Sequence, residues 1–111
     1  MAKDLSISVL MDFYGQLLTD KRYDALDMYY NQDLSLGEIA GELGISRQGV
    51  RDNIKHAEAQ LAQLEEKLGL AKRFSDILSD IDEMEKIISG MEKNSETEQL
   101  LETVRRIASK I

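Results

Sequence analysis

The sequence predicts an all-α fold, a helix-turn-helix bundle followed by a C-terminal helical extension. Three observations carry this. The chain of 111 residues contains no proline, and 32% of its residues are charged, a composition suited to helices with one face in water. Apolar residues recur at spacings of three and four along almost its whole length, the period of a helix with one buried face. The breaks between these stripes carry Ser, Thr or Gly, the residues that start and stop helices.

The first helix is expected to start near Asp4 or Ser6 and run to Leu18, burying Ile7, Leu10, Met11, Tyr14, Leu17 and Leu18. Thr19 is a good N-cap for a second helix from about Asp20 to Tyr30, with Asp20 in its first turn. That helix is expected to bury Tyr23, Leu26, Tyr29 and Tyr30, and Asn31-Gln32-Asp33 forms a polar break. The third helix opens on Ser35, with Glu38 three residues on, the spacing at which each side chain satisfies the other's orphan backbone donor. Leu34 and Ile39 occupy the hydrophobic-staple positions around that cap. It is expected to stop at Leu43, because Gly44 takes the left-handed conformation without steric cost.

Ser46 caps the fourth helix, with Ile45 and Val50 again in staple positions. Val50, Ile54, Ala57, Leu61, Leu64 and Leu68 form its stripe, alternating four and three like a heptad seam. The helix is roughly 34 Å long, too long to serve only as a recognition helix, so its second half must pack on other elements. Gly69 marks its end. A fifth helix is expected from about Leu70 to Ser89, with Phe74, Ile77, Leu78, Ile81, Met84, Ile87 and Ile88 on one side. Ser95 with Glu98 reads as the capping box of a sixth, which carries Leu100, Leu101, Val104, Ile107, Ala108 and Ile111.

Two domains are therefore expected: a helix-turn-helix domain over residues 1–69 and an extension over residues 70–111. Narrow apolar seams on polar helices are not stable alone in water. The extension must pack on itself, on the first domain or on a second copy of the chain. A homodimer is the expected assembly, with an intramolecular bundle as the alternative.

Composition bounds the function. The chain has no cysteine, which excludes disulfides, thiolate metal sites and cysteine nucleophiles and fits a reducing cytoplasm. No apolar run reaches the roughly 18–20 residues of a membrane span, and the N-terminus lacks a basic-then-apolar signal pattern. No Ser/His/Asp order, phosphate-cradling loop or zinc spacing occurs, so neither an enzyme nor a bound cofactor or metal is expected. His56, the one histidine, reads as a surface or packing residue. Tyr29-Tyr30 read as core residues at helical spacing. The carboxylates Asp80, Asp82, Glu83 and Glu85 lack the Gly-bearing loop of a calcium hand and read as a solvated face.

The run from Ser35 to Leu61 has the grammar of a helix-turn-helix, which presents the first turns of its second helix to the DNA major groove. Ala40 is small where the helices cross, Gly44 makes the turn, and Ile39, Leu43, Ile45, Val50 and Ile54 lock the pair. With about 100° per residue and Val50 pointing inward, Arg47, Arg51 and Lys55 form one basic flank. Gln48 lies near it and Asp52 points outward. Arg and Gln make bidentate contacts to guanine and adenine edges, and Lys55 is placed for a backbone phosphate. Ser46 donates to a phosphate at the helix start, where backbone amides also point. Asp52 repels phosphate unless it accepts from cytosine or holds Arg51 or Lys55. Ser46, Arg47, Gln48, Arg51, Asp52 and Lys55 are thus the candidate DNA-contacting residues, and duplex DNA the expected partner.

Charge weighs against this. The net charge is −7, whereas phosphate neutralisation supplies most affinity for DNA. Residues 35–56 set Arg47, Arg51 and Lys55 against Glu38, Glu42 and Asp52 and sum to zero, so one copy neutralises few phosphates and a dimer doubles the number. The alternative is a module for binding protein or RNA, with the acidic surface facing a basic partner.

The motif resembles region 4 of bacterial sigma factors in Leu34-Ser35, Ile39-Ala40, Leu43-Gly44-Ile45-Ser46, Val50, Ile54, Ala57 and Leu61. A closer resemblance covers Phe13 to Leu70. Phe13-Tyr14, Leu17-Leu18-Thr19, Tyr29-Tyr30, Asp33 to Ala40, Ser46-Arg47-Gln48 and Asp52-Asn53-Ile54 look like the YlxM-like family. The resemblance implies a sigma-region-4-like all-helical fold without polymerase-core-binding regions. It also implies a regulatory link to the signal-recognition-particle pathway, with that particle's protein or RNA as a further partner. The chain departs from the family at Gly49, where Ala is usual, and at Arg51, commonly an aromatic position.

Overall fold

The computed structural model describes residues Lys3, Asp4 and 6–111. Six α-helices and no strand are present among them: α1 (Ser6–Tyr14), α2 (Asp20–Tyr30), α3 (Leu36–Leu43), α4 (Arg47–Leu68), α5 (Leu70–Ser89) and α6 (Ser95–Ser109). No helix among the described residues is long and apolar enough to cross a membrane. The chain forms two compact units, the first ending at Ala71 and the second Lys72–Ile111.

The first unit is built on α4, which packs against α1, α2 and α3. Val50, Ile54, Ala57 and Leu61 are fully buried along one face of α4, the spacing that keeps a stripe on one side of a helix. They meet Ile7, Met11 and Tyr14 of α1, Ala25, Leu26 and Tyr29 of α2 and Ile39 of α3 in one core. Leu64 is half-buried against that core, while Leu68, expected to continue the stripe, lies 49% exposed. Polar bridges reinforce the second half of α4. Tyr30 donates to Glu58 Oε1 at 2.5 Å, Arg22 to Gln60 Oε1 at 3.1 Å, and Tyr14 to Glu65 Oε1 at 2.6 Å. Burial, with the Glu58 bond next, pushes the Tyr30 phenol up to about 12. The Tyr14 phenol is raised for the same two reasons, burial and then its bond to Glu65.

Local signals explain most helix ends. Thr19 accepts the Arg22 N–H, and Ser35 and Glu38 form the reciprocal capping box. Gly44 and Gly69 close α3 and α4 in the left-handed region, at φ 67° and 62°. Two ends differ from the sequence reading. The helical run α1 stops at Tyr14, and a 3-10 turn over Gly15–Leu17 replaces its expected last turn. A Cβ on Gly15 would stand 2.9 Å from Tyr23 Cε2, so the Tyr23 ring occupies the space a side chain would need. Leu17 is consequently 59% exposed rather than buried, and Tyr23 lies over Gly15 at the surface. In α6 the cap is Asn94, not Ser95. Asn94 Oδ1 accepts the Thr97 N–H at 2.9 Å, and Thr97 Oγ1 accepts the Asn94 N–H at 2.8 Å. This box satisfies the same donors one residue earlier than the Ser95/Glu98 pair.

One Gly separates α4 from α5, leaving no room for a cap residue of the ordinary kind. The first N–H groups of α5 are instead met from elsewhere: Leu70 N–H donates to Tyr14 Oη at 3.0 Å and Ala71 N–H to Glu65 Oε1 at 3.0 Å.

The second unit buries little. Its buried residues are Ile81 on α5 and Thr97 and Val104 on α6. Ile77, Met84 and Ile87, expected on one side of the helix with Ile81, are exposed. One helix covers only a narrow strip of another, and the apolar band of α5 is wider than that.

Candidate nucleic-acid interface

The turn 44–46 fixes α3 against α4. Ile45 N–H donates to Ala40 O at 3.2 Å, and Ile45 is half-buried against the core beside the fully buried Val50. Ser46 is extended, and its hydroxyl accepts the Gly49 N–H at 3.0 Å. Gly49, third in the helix, has no side chain to return a bond, so this cap is half of the reciprocal box seen at Ser35. Among the described residues the Ser46 hydroxyl makes no bond as donor, which leaves its proton for a ligand.

The six residues singled out in sequence share the start and outer face of α4. Ser46, Arg47, Gln48, Arg51, Asp52 and Lys55 are all exposed. Arg47, Arg51 and Lys55 have no carboxylate within ion-pair distance among the described residues. Asp52 holds neither Arg51 nor Lys55; it accepts from Gln48 Nε2 at 3.0 Å. Four residues apart on one face, these two are the neighbours helical geometry supplies. Asp52 therefore orients the Gln48 amide and leaves the flanking cations unneutralised.

Arg47 is placed by a residue the sequence reading passed over. A Cβ built on Gly37 would lie 3.1 Å from both Nε and Nη2 of Arg47 and 3.4 Å from its Cζ. The guanidinium thus lies across the first turn of α3, in space that a Cβ on residue 37 would crowd. Gly37 has no left-handed φ to explain it, and a helical Gly without a conformational reason is the signal that points to close approach. Asn53 was also missed: its Nδ2 donates to Gly49 O at 2.9 Å, a bond back along α4.

The remaining residues weighed in sequence lie apart from this face in role. His56 is exposed. Tyr29 is buried, with its ring edge-on to Tyr30 at 5.2 Å, as core packing requires. Lys3 Nζ sits 4.5 Å from the Tyr29 ring centroid and bonds Asp33 at 2.5 Å. That bond holds the Asp33 carboxyl below the usual range.

Two helices locked across a short glycine turn, the second offering its start to solvent, make this chain a helix-turn-helix protein. Within that class it belongs to the UPF0122 family, described as "Putative helix-turn-helix protein, YlxM / p13 like", whose model matches residues 1–106. It is 45% identical over 107 residues to a UPF0122 protein of Thermoanaerobacter sp. (strain X514), covering 96% of this chain and 92% of the relative. It is 43% identical over 111 residues to one of Acetivibrio thermocellus, covering 100% and 95%. The UPF0122 protein YlxM of Bacillus subtilis (strain 168) is 40% identical over 107 residues, covering 96% and 97%. The likeness therefore extends through α5 and most of α6, beyond the stretch Phe13 to Leu70 that carried the resemblance in sequence.

Proposed function

We propose that this protein is a cytoplasmic DNA-binding regulator that sets the first turns of α4 into the major groove. The observation that carries this is the exposed flank of Arg47, Arg51 and Lys55, left without acidic partners on a helix whose start is capped and open. Arg51 and the oriented Gln48 read base edges; Ser46 and Lys55 hold phosphates. Arg47, beside the start of α3, reaches the backbone near that helix. Because residues 35–56 carry no net charge, two copies are needed to neutralise enough phosphate for useful affinity.

A selection from pooled duplexes at low salt, followed by fluorescence anisotropy on the selected site, tests this. Arg51→Ala should weaken specific binding by about 1–3 kcal/mol and relax preference at one position. A wild-type protein with no sequence preference sinks the proposal. The net charge of −7 favours a second reading, an interaction module whose acidic surface meets a basic partner such as a component of the signal recognition particle. Capture of that particle, insensitive to nuclease and to Arg51→Ala, would support the second reading against the first.

A further inference from the structure

Asp52 is the one acidic residue among the six candidate contacts, and its bond changes what its neighbour can read. Gln48 and Asp52 are the second and sixth residues of α4, and both are exposed. Gln48 Nε2 lies 3.0 Å from Asp52 Oδ1, and neither side chain makes another hydrogen bond among the described residues. A carboxylate only accepts, so the amide must turn its nitrogen, not its oxygen, towards Asp52. Of the two amide hydrogens, one is spent there. Gln48 keeps one N–H and the carbonyl Oε1 for a ligand.

We propose that Asp52 is a positioning residue that makes Gln48 read adenine and reject guanine. The inference rests on the DNA-binding reading and deepens it by naming a base. In the major groove adenine shows an acceptor, N7, beside a donor, the N6 amine, and the remaining N–H and Oε1 of Gln48 answer both. Guanine shows two acceptors, N7 and O6. Meeting them takes two donors, and Gln48 has one to give, so its Oε1 would face O6 with lone pairs on both sides. Released from Asp52, the amide offers both hydrogens and serves either base. Residues four apart on a helix are neighbours before DNA arrives, and the exclusion of water in the groove strengthens their bond. The pairing also accounts for a carboxylate on a face that otherwise needs positive charge for phosphates.

Selection from pooled duplexes, then fluorescence anisotropy on single-base variants of the selected site, reads the outcome. Gln48→Ala locates the position that Gln48 reads, as the one where preference collapses. There the wild type should favour adenine over guanine by at least about tenfold. Asp52→Ala should cut that ratio by about threefold or more, the worth of one hydrogen bond, and leave preferences at other positions unchanged. Losing a negative charge also raises affinity for every duplex, so Asp52→Asn is the control. It loses the same charge but keeps an acceptor for Gln48, and its ratio should stay closer to that of the wild type than to that of Asp52→Ala. A second readout needs no DNA. In the free protein, nitrogen NMR relaxation should show the Gln48 side-chain amide moving faster in Asp52→Ala than in the wild type, with Gln63, exposed on the same helix, unchanged. Equal Gln48 motion in the two proteins overturns the coupling, whatever DNA does. A wild type that prefers guanine at the Gln48 position, or Ala and Asn variants that shift the ratio alike, overturns the base assignment and leaves DNA binding intact. No sequence preference in the wild type, with the amide responding as expected, removes the DNA-binding reading and the base assignment with it.

Discussion

Gly37→Ala should make the protein more stable and bind DNA less well. Ala replaces Gly at the second position of α3, where the exchange gains about 0.5 kcal/mol, the low end of the helix-interior value, because the first turn is only partly constrained. Against this stands a crowded contact, with the new Cβ 3.1 Å from Nε and Nη2 of Arg47. Carbon contacts are comfortable near 3.5–4.0 Å, so the guanidinium must withdraw by about half an ångström. It is the free end of a flexible side chain, so withdrawal costs little stability but moves the charge from its seat on α3. Thermal unfolding should shift up by a few degrees at most. DNA affinity should fall in the same sense as in Arg47→Ala and by no more, with the salt dependence of binding flattened by up to about one unit of slope. The double variant should bind like Arg47→Ala alone. A binding loss from Gly37→Ala that persists in full in the Arg47→Ala background would refute the role given to Gly37, because the two residues would then act separately. A fall in stability beyond about 1 kcal/mol would refute the claim that the Arg47 end yields easily.

Three further outcomes follow from the same geometry. Tyr14→Phe should speed amide hydrogen exchange at Leu70 more than at Ala71, because Ala71 keeps the Glu65 carboxylate while Leu70 loses its acceptor; equal acceleration at both would count against separate roles for the two groups. Gly49→Ala should change stability by less than about 0.5 kcal/mol, since the helix-propensity gain is offset by a Cβ 3.2 Å from the capping Ser46 Oγ; chemical denaturation with an unchanged m value measures it. In alkali the Tyr30 phenol should ionise near 12, read by tyrosinate absorbance. Because its folded value lies above the ordinary 10.0, its stabilising contribution is complete below about pH 10 and is lost as the pH climbs towards 12. A Tyr30→Phe variant whose unfolding shows the same alkaline dependence would argue against that linkage.

Elements with strong local punctuation were legible in the sequence. Thr19 fixes the start of α2, the Ser35/Glu38 box and Gly44 bracket α3, and Gly69 divides α4 from α5. The exposed flank of α4 was legible too, because helical periodicity alone gathers Arg47, Arg51 and Lys55 on one flank, away from the buried Val50 stripe. What escaped depends on contacts distant in sequence. Gly15 ends α1 early to admit Tyr23, which arrives from α2. Gly37 serves Arg47 from another helix, and nothing local to either residue reveals it. At Asn94 and Ser95 two acceptable caps stand side by side, and Thr97 decides between them by answering Asn94. The apolar band of α5 gave the right residues but not which of them its neighbour covers, since periodicity defines a face and not the width of its partner.

The way α5 begins sets an order of events. Its first two backbone donors rest on Tyr14 and Glu65, residues brought together only when α1 has docked on α4. Until then the helix start has no acceptors of its own and must spend time frayed. During synthesis the earlier segment emerges first and folds as a unit, so α5 acquires its anchor from a structure already complete. The start of α5 is thereby placed downstream of the helix-turn-helix module, and a chain with a damaged core should fray first at Leu70 and Ala71.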